Sequence, residues 1–173
     1  VTKTQLAKAT KLSPMNVTRA VQELTSLDLL TVEKAGRCDR ATPTAVGKLL
    51  YQKAKPFFIN PIQKKMFIKW TPALTSLPFA GESALARCSM LNNPEVECRA
   101  IGRKAFKSLS DIESVDPAWS VETDYLQLEI WRYDPLLLAE QGCVDSISLS
   151  LTFQEQKEER IAQAVDDMME GYR

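Results

Sequence analysis

The chain contains no histidine, and its four cysteines include no Cys-x-x-Cys pair. Without histidine, neither a Ser-His-Asp nor a Cys-His catalytic arrangement can be built. Zinc sites assembled from paired cysteine and histidine ligands are disfavoured for the same reason. The sequence also lacks a glycine-rich loop that ends in lysine, the element that cradles phosphates in many nucleotide-binding proteins. We therefore expect no enzymatic activity, no metal and no cofactor.

Long apolar runs are also missing. None approaches the roughly 20 residues that span a bilayer, and no signal peptide is visible. The composition, 45% apolar and 25% charged, is that of a soluble globular protein. Since the cysteines are scattered, reduced thiols are the expectation, and with them a cytoplasmic protein without a membrane partner. These positions are Cys38, Cys88, Cys98 and Cys143.

Acidic residues are scarce in the first part of the chain. Residues 1–70 hold 13 Lys and Arg against 4 Asp and Glu, a net charge of +9. Residues 71–173 hold 9 against 18, a net charge of −9. This asymmetry predicts that one end of the molecule binds nucleic acid, with an affinity that falls steeply as the salt concentration rises. The alternative is that the basic and acidic parts attract each other.

The N-terminal third predicts two short helices at a steep angle, followed by a two-stranded hairpin. Ser13 and Pro14 mark the start of the second helix, because serine caps orphan amides and proline suits the first helical position. Val17, Val21 and Leu24 recur at helical spacing, with Ala20 beside them, so we expect one stripe of this helix to face the core. Such a hairpin lets one helix enter a DNA major groove while the strands contact phosphates.

The opposite face of the second helix carries short or forked polar side chains suited to base edges and phosphate oxygens. In the hairpin, Gly36 permits a tight turn beside a cluster of basic residues. The alternative is an ordinary helical hairpin with a solvated polar face. The candidate DNA-binding residues are Ser13, Met15, Asn16, Thr18, Arg19 and Gln22 from the helix, and Lys34, Arg37 and Arg40 from the hairpin.

Five short stretches carry a resemblance to a known family: Leu6-Ala7, Leu12-Ser13, Val17-Thr18-Arg19, Leu27-Asp28-Leu29-Leu30 and Thr44-Ala45-Val46-Gly47. With them, residues 2–55 resemble the winged helix-turn-helix regulators, the MarR-like group in particular. The resemblance implies a bacterial transcription regulator, such as a repressor, that binds double-stranded DNA as a homodimer. One departure is Lys11, where that family usually has glycine. Because lysine tolerates a left-handed backbone poorly, we expect a slightly reshaped turn.

The chain begins with valine and opens directly on the helical hairpin. We therefore expect that upstream sequence was removed, including a first helix that packs beneath the hairpin in MarR-like proteins. Ala45 to Ala54 should form the helix that closes this domain, with Val46, Leu49, Leu50 and Lys53 spaced for one buried stripe and a solvent edge. Lys55-Pro56 and Asn60-Pro61 are breakers. They place a winged helix-turn-helix domain at residues 1–61 and an α+β domain, regulatory or protein-interacting, at 62–173.

In the second domain, the sequence pattern predicts three strands and three helices. Residues 146–153 alternate between polar and apolar, which favours a strand, although Asp145-Ser146 could equally cap a helix. Asp134, Asp145 and Glu129 could in principle hold a divalent cation, but helix capping explains the two aspartates more simply. The predicted strands are 64–70, 97–101 and 126–133; in the last, Leu126, Leu128 and Ile130 face one way and Gln127, Glu129, Trp131 and Tyr133 the other. One predicted helix starts near residue 82, a short one is opened by Asp134-Pro135 and closed by Gly142, and the final one spans 156–172.

Residues 77–85, with the sequence LPFAGESAL, and residues 131–135, with WRYDP, carry a second resemblance. Together with Val144-Asp145-Ser146, they are similar to the C-terminal domain of AbiE-type antitoxins. That resemblance implies a protein that represses its own operon and counteracts a nucleotidyltransferase toxin through its acidic C-terminal part. An ordinary regulator remains the first hypothesis, and the antitoxin the alternative. Both share an α+β fold with an N-terminal winged helix-turn-helix.

Overall fold

A computed structural model describes residues 1–36, 38–110, 112–118 and 124–172. It has mixed α+β architecture, which confirms the expected class. The helices are α1 Lys3–Thr10, α2 Pro14–Ser26, α3 Gly47–Ala54, α4 Gly81–Arg87, α5 Arg103–Lys107, α6 Ser146–Thr152 and α7 Glu159–Met168. The strands are β1 Leu30–Ala35, β2 Cys38–Pro43, β3 Ile62–Lys69, β4 Cys98–Gly102 and β5 Tyr125–Trp131.

The chain forms two compact units, one of residues 1–58 with Gly171 and Tyr172, the other of residues 59–170. The boundary between the two units falls between residues 58 and 59, slightly before the domain boundary expected at residue 61. Within the described ranges, no helix combines the length and the apolar character that crossing a membrane requires.

In the first unit, α1 and α2 pack on the hairpin of β1 and β2. The core of this unit is small: Val17, Val21 and Ala41 are buried, and Leu6 and Leu30 pack against them with Ala7. Thr2 and Gln5 form a capping box at the start of α1. Each of the two side chains accepts a hydrogen bond from the backbone amide of the other residue. Two amides at the helix start that lack a partner within the helix are thereby satisfied.

The N-terminal residue extends the hairpin by a short third edge. The main-chain nitrogen of Val1 donates to the carbonyl of Ala41 at 2.8 Å, and the amide of Ala41 donates to the carbonyl of Val1 at 2.8 Å. Thr2 forms an antiparallel bridge with Arg40. These backbone bonds cover part of the outer edge of β2 and fix the hairpin against the start of α1.

The two predicted buried stripes are confirmed only in part: Val17 and Val21 are buried, but three other members are exposed. Leu24 is 37% exposed, and Val46 and Leu49 are 81% and 57% exposed. The helix α3 begins at Gly47, which leaves Val46 in extended backbone before the first turn. Tyr51 is the buried residue of α3, because its ring contacts those of Phe58 and Tyr172, at centroid distances of 5.8 and 5.9 Å.

Lys11 adopts the left-handed conformation after all, with φ 54° and ψ 24°, at the C-terminus of α1. Replacing Lys11 with glycine is expected to raise the free energy of unfolding by up to about 1 kcal/mol, because glycine removes the clash of Cβ at positive φ. The gain is limited by the larger conformational entropy of glycine in the unfolded chain. Urea denaturation followed by circular dichroism measures it.

The matched control is Lys8→Gly in the last turn of the same helix. There the backbone is right-handed, so glycine should lower the free energy of unfolding, by about 1 kcal/mol. The two lysine-to-glycine changes should therefore have opposite signs. A loss of stability at both positions would show that the Lys11 turn carries no strain that glycine can relieve.

The second unit is built on a three-stranded sheet in the order β3-β5-β4. The pairing of β3 with β5 is antiparallel, and that of β4 with β5 is parallel. One face of the sheet is an apolar core, in which Leu126, Leu128 and Ile130 of β5 pack with Ile68 and Ile101. The other face carries Gln127, Glu129 and Trp131, as the alternation in β5 predicts. Glu129 and Trp131 are nevertheless buried, because β5 is the central strand.

The strand favoured for residues 146–153 is wrong, since these residues form α6. Asp145 caps this helix: its Oδ1 accepts from the amide of Ser148 at 2.9 Å. The hydroxyls of Ser150 and Thr152 donate to carbonyls three residues back, at 2.7 Å each. These bonds pair the polar side chains of the alternating segment with backbone carbonyls of the same helix. The final helix is also shorter than predicted and spans Glu159–Met168.

Candidate nucleic-acid interface

The outward face of α2 presents a continuous stripe of side chains opposite the small core. Met15 is 63% exposed, and Asn16, Arg19 and Gln22 are exposed as well. At 3.6 residues per turn, this stripe lies on the far side of the helix from Val17. Arg19 forms no ion pair with any described residue. Its guanidinium donors are therefore available to an external acceptor.

The other two candidates on this helix are partly engaged in local hydrogen bonds. Ser13 caps α2, and its Oγ accepts from the amide of Asn16 at 3.3 Å. Thr18 is half-buried, and its hydroxyl donates to the carbonyl of Pro14 at 2.9 Å. Both side chains thus support the start of the helix. The most accessible polar side chains of the stripe are those of Asn16, Arg19 and Gln22.

The hairpin candidates do not form one cationic tip. In the register of β1 and β2, Lys34 lies opposite Asp39, and Arg40 lies opposite Glu33. Because side chains alternate between the faces of a strand, these two pairs point to opposite faces of the hairpin. Lys34 and Arg40 are both exposed, but each shares its face with a carboxylate. Arg37 lies outside the described residues.

Asp39 also pairs with Lys3, whose Nζ lies 2.8 Å from Oδ2. This hydrogen bond, together with the positive charge of Lys3, lowers the pKa of the Asp39 carboxyl below its ordinary value. Asp39 therefore remains ionised, and its charge is partly compensated by Lys3. Sequence reasoning missed this contact, since nothing in the spacing of the two residues indicates it. A second pair, Lys53 with Asp28 at 2.9 Å, compensates another acidic residue of the unit.

The three carboxylates weighed as cation ligands have separate partners. Oδ1 of Asp134 accepts from the amide of Leu136 at 3.0 Å, and Asp145 caps α6, so the capping interpretation is confirmed. Glu129 is buried in the sheet of the second unit. Within the described part of the chain, no group of three or more cysteine or carboxylate side chains is arranged to hold a metal.

All four cysteines are free thiols. Cys98 is buried in β4, and burial raises the pKa of its thiol well above the ordinary value. The pKa values of Cys88 and Cys143 are also raised by partial burial. A raised pKa keeps a thiol protonated and poorly nucleophilic.

Comparison with known proteins gives no further guide, because the chain matches no protein-family model, no curated protein and no solved structure.

Proposed function

We propose that residues 1–58 bind double-stranded DNA as a winged helix-turn-helix and that the protein is a bacterial transcription regulator. The observation that carries this proposal is the exposed stripe on α2, which centres on Arg19 with Asn16 and Gln22 beside it. The fold of the unit supports it, since a helical hairpin precedes a two-stranded antiparallel wing. In such domains the second helix enters the major groove.

The side chains of the stripe match the hydrogen-bonding patterns of base edges. Arginine donates two hydrogen bonds to O6 and N7 of guanine, and asparagine or glutamine pairs with N6 and N7 of adenine. Each such pair is worth about 1–3 kcal/mol of discrimination. Asn16 and Arg19 both lie in the first half of α2, the half that approaches bases in helix-turn-helix proteins.

The charge of this unit supports a phosphate-binding role. Residues 1–58 contain 10 Lys and Arg against 4 Asp and Glu, a net charge of +6. Two of the four acidic side chains, Asp28 and Asp39, are already paired with lysines. One recognition helix reads few base pairs, so we expect two copies of the chain on a pseudo-palindromic site. Lys34 and Arg40, on opposite faces of the hairpin, would each contact phosphate from one side.

Arg19→Ala should lower the affinity for a specific duplex about tenfold, because it removes a two-bond contact to a base. The duplex is obtained by selecting a random-sequence library on the full chain, and fluorescence anisotropy measures binding. Affinity for a scrambled duplex should change much less. Arg40→Ala should weaken both duplexes alike and make the dependence on salt less steep, as expected for a phosphate contact.

Arg103→Ala is the matched control, since Arg103 is an exposed arginine at the start of α5 in the second unit. It should leave both affinities unchanged. Failure to enrich any sequence, together with no binding to any duplex at low salt, would refute DNA binding by this chain. Equal losses on the specific and scrambled duplexes for Arg19→Ala would instead refute base readout by α2.

A further inference from the structure

The first turn of α2 carries an apolar side chain that the core of its unit does not use. Met15 is 63% exposed, and it lies beside the polar side chains of Asn16 and Arg19 on the outward stripe of the helix. The buried residues of this core are Val17 and Val21 with Ala41, and Met15 is not among the residues that pack against them. Packing within the unit therefore does not account for a methionine at this position.

Met15 is the second residue of α2 and shares one ridge of the helix with Arg19 and Gln22, because residues four and seven positions later return to the same face. In helix-turn-helix proteins the N-terminal residues of the second helix contact base edges. At about 1.5 Å per residue, Met15 and Arg19 are separated by about 6 Å along the helix axis. Stacked bases are about 3.4 Å apart, so these two side chains face base pairs about two steps apart at most.

Only one of the four bases offers an apolar group to the major groove. Thymine carries a 5-methyl group there, whereas the exposed edges of adenine, guanine and cytosine present hydrogen-bond donors and acceptors. A methionine side chain has no donor and only a weak acceptor, and its rotatable bonds let it adapt to a small apolar target. Thymine is therefore the base that an exposed methionine in the groove favours.

Building on the DNA binding proposed for residues 1–58, we propose that Met15 reads a thymine by packing against its 5-methyl group. The charge of the unit suits DNA as the occupant of the stripe, since it contains 10 Lys and Arg against 4 Asp and Glu. Arg19 contacts a guanine one turn further along the same ridge, so the thymine lies within about two base pairs of that guanine. Each half of the recognised duplex then contains the two bases at a fixed separation.

Fluorescence anisotropy of the full chain on its selected duplex tests this contact. Each thymine is replaced in turn by uracil, which lacks the methyl group and keeps every hydrogen-bonding atom. We expect one position in each half-site at which uracil weakens binding about three- to fivefold, the loss expected for one buried methyl group. Met15→Ala should weaken binding to the thymine duplex by at least a similar factor, and it should bind the thymine and uracil duplexes equally.

Two variants serve as controls. Met15→Leu keeps an apolar side chain and should retain a preference for thymine over uracil. Met90→Ala removes a fully exposed methionine of the second unit and should leave both affinities unchanged. The guanine is located with 7-deazaguanine, which lacks the N7 acceptor. At the contacted position this base should weaken binding of the unchanged protein but not of the Arg19→Ala variant.

The possible results separate the thymine contact from DNA binding itself. If no duplex is enriched and none binds at low salt, the proposed function is refuted and the thymine contact with it. If the selected duplex binds, the thymine contact alone is overturned when uracil costs no affinity at any position or when Met15→Ala keeps the preference for thymine. It is also overturned if the sensitive thymine lies more than about three base pairs from the guanine that Arg19 contacts.

Discussion

Replacing Arg99 with alanine is expected to lower the free energy of unfolding of the second unit by about 3–5 kcal/mol. The guanidinium of Arg99 is buried, and Nη1 donates to the carbonyls of Thr75, at 2.9 Å, and Leu77, at 2.5 Å. Its Nε donates to Oε1 of Glu97 at 2.6 Å. Alanine would leave two carbonyls and a carboxylate without this donor, and would open a cavity where the side chain packs.

Arg87 provides a matched control on the same aromatic ring. Both arginines lie over the ring of Phe79, with Cζ at 3.6 Å from the ring centroid for Arg87 and 4.1 Å for Arg99. Arg87 is exposed, and its side chain forms no hydrogen bond within the described ranges. Arg87→Ala should therefore cost only the cation–π contact, about 0.5–1 kcal/mol. The difference between the two variants isolates the hydrogen bonds of Arg99.

Urea denaturation followed by tryptophan fluorescence measures both changes. Trp70, Trp119 and Trp131 all lie in the sequence of the second unit, so the signal reports on that unit. Arg99→Lys should fall between the two alanine variants, because lysine keeps the charge but cannot donate in the same forked geometry. Equal costs for Arg99→Ala and Arg87→Ala would mean that the buried hydrogen bonds add nothing to stability.

The sequence predicted best those features that depend on neighbouring residues. Ser13 with Pro14 marks the start of α2, whereas Asp134 with Pro135 begins only a three-residue 3-10 helix, Pro135–Leu137, in place of the longer helix predicted up to Gly142. Capping is a short-range interaction, so its signal lies within three or four residues. The weaker strand prediction at residues 146–153 failed because the cap at Asp145 acts on the backbone directly, whereas alternation becomes decisive only when a neighbouring strand is present.

Features that depend on distant partners could not be predicted from the sequence pattern. Tyr51 is buried in α3 because Phe58 and Tyr172 provide its ring contacts, and Tyr172 lies near the far end of the chain. The opposite orientations of Lys34 and Arg40 follow from the register of the hairpin, which the turn fixes and the charge pattern does not reveal.

The polar face of the second sheet is a further case of this kind. The alternation in β5 correctly placed Gln127, Glu129 and Trp131 on one face. It did not reveal that the face is buried, since burial follows from the central position of β5 between β3 and β4. The cross-strand pair of Lys65 with Glu129 likewise required the antiparallel register. The only signal of this pair in the sequence was Glu129 itself, a charged residue within the strand-like alternation of β5.

Replacing Trp131 with alanine is expected to lower the free energy of unfolding by about 3–5 kcal/mol, the usual cost of deleting a buried tryptophan. Trp131 is fully buried, and its ring meets that of Tyr133 edge to face at a centroid distance of 5.6 Å. Trp131→Phe retains an aromatic ring but removes the donor to Oε2 of Glu129. Its cost should be about 1–3 kcal/mol, the penalty for leaving a buried acceptor unpaired. Circular dichroism in urea measures both.

The change Glu129→Leu separates packing from hydrogen bonding in this pair. In a protein that already carries Glu129→Leu, no carboxylate oxygen loses its donor when Trp131 is replaced. Trp131→Phe should then lower the free energy of unfolding by little more than the loss of side-chain volume requires. Glu129→Leu alone should lower the free energy of unfolding by about 1–3 kcal/mol, because it leaves the buried Nε1 donor of Trp131 without its acceptor. A full cost for Trp131→Phe in the leucine background would show that the Trp131–Glu129 hydrogen bond contributes nothing.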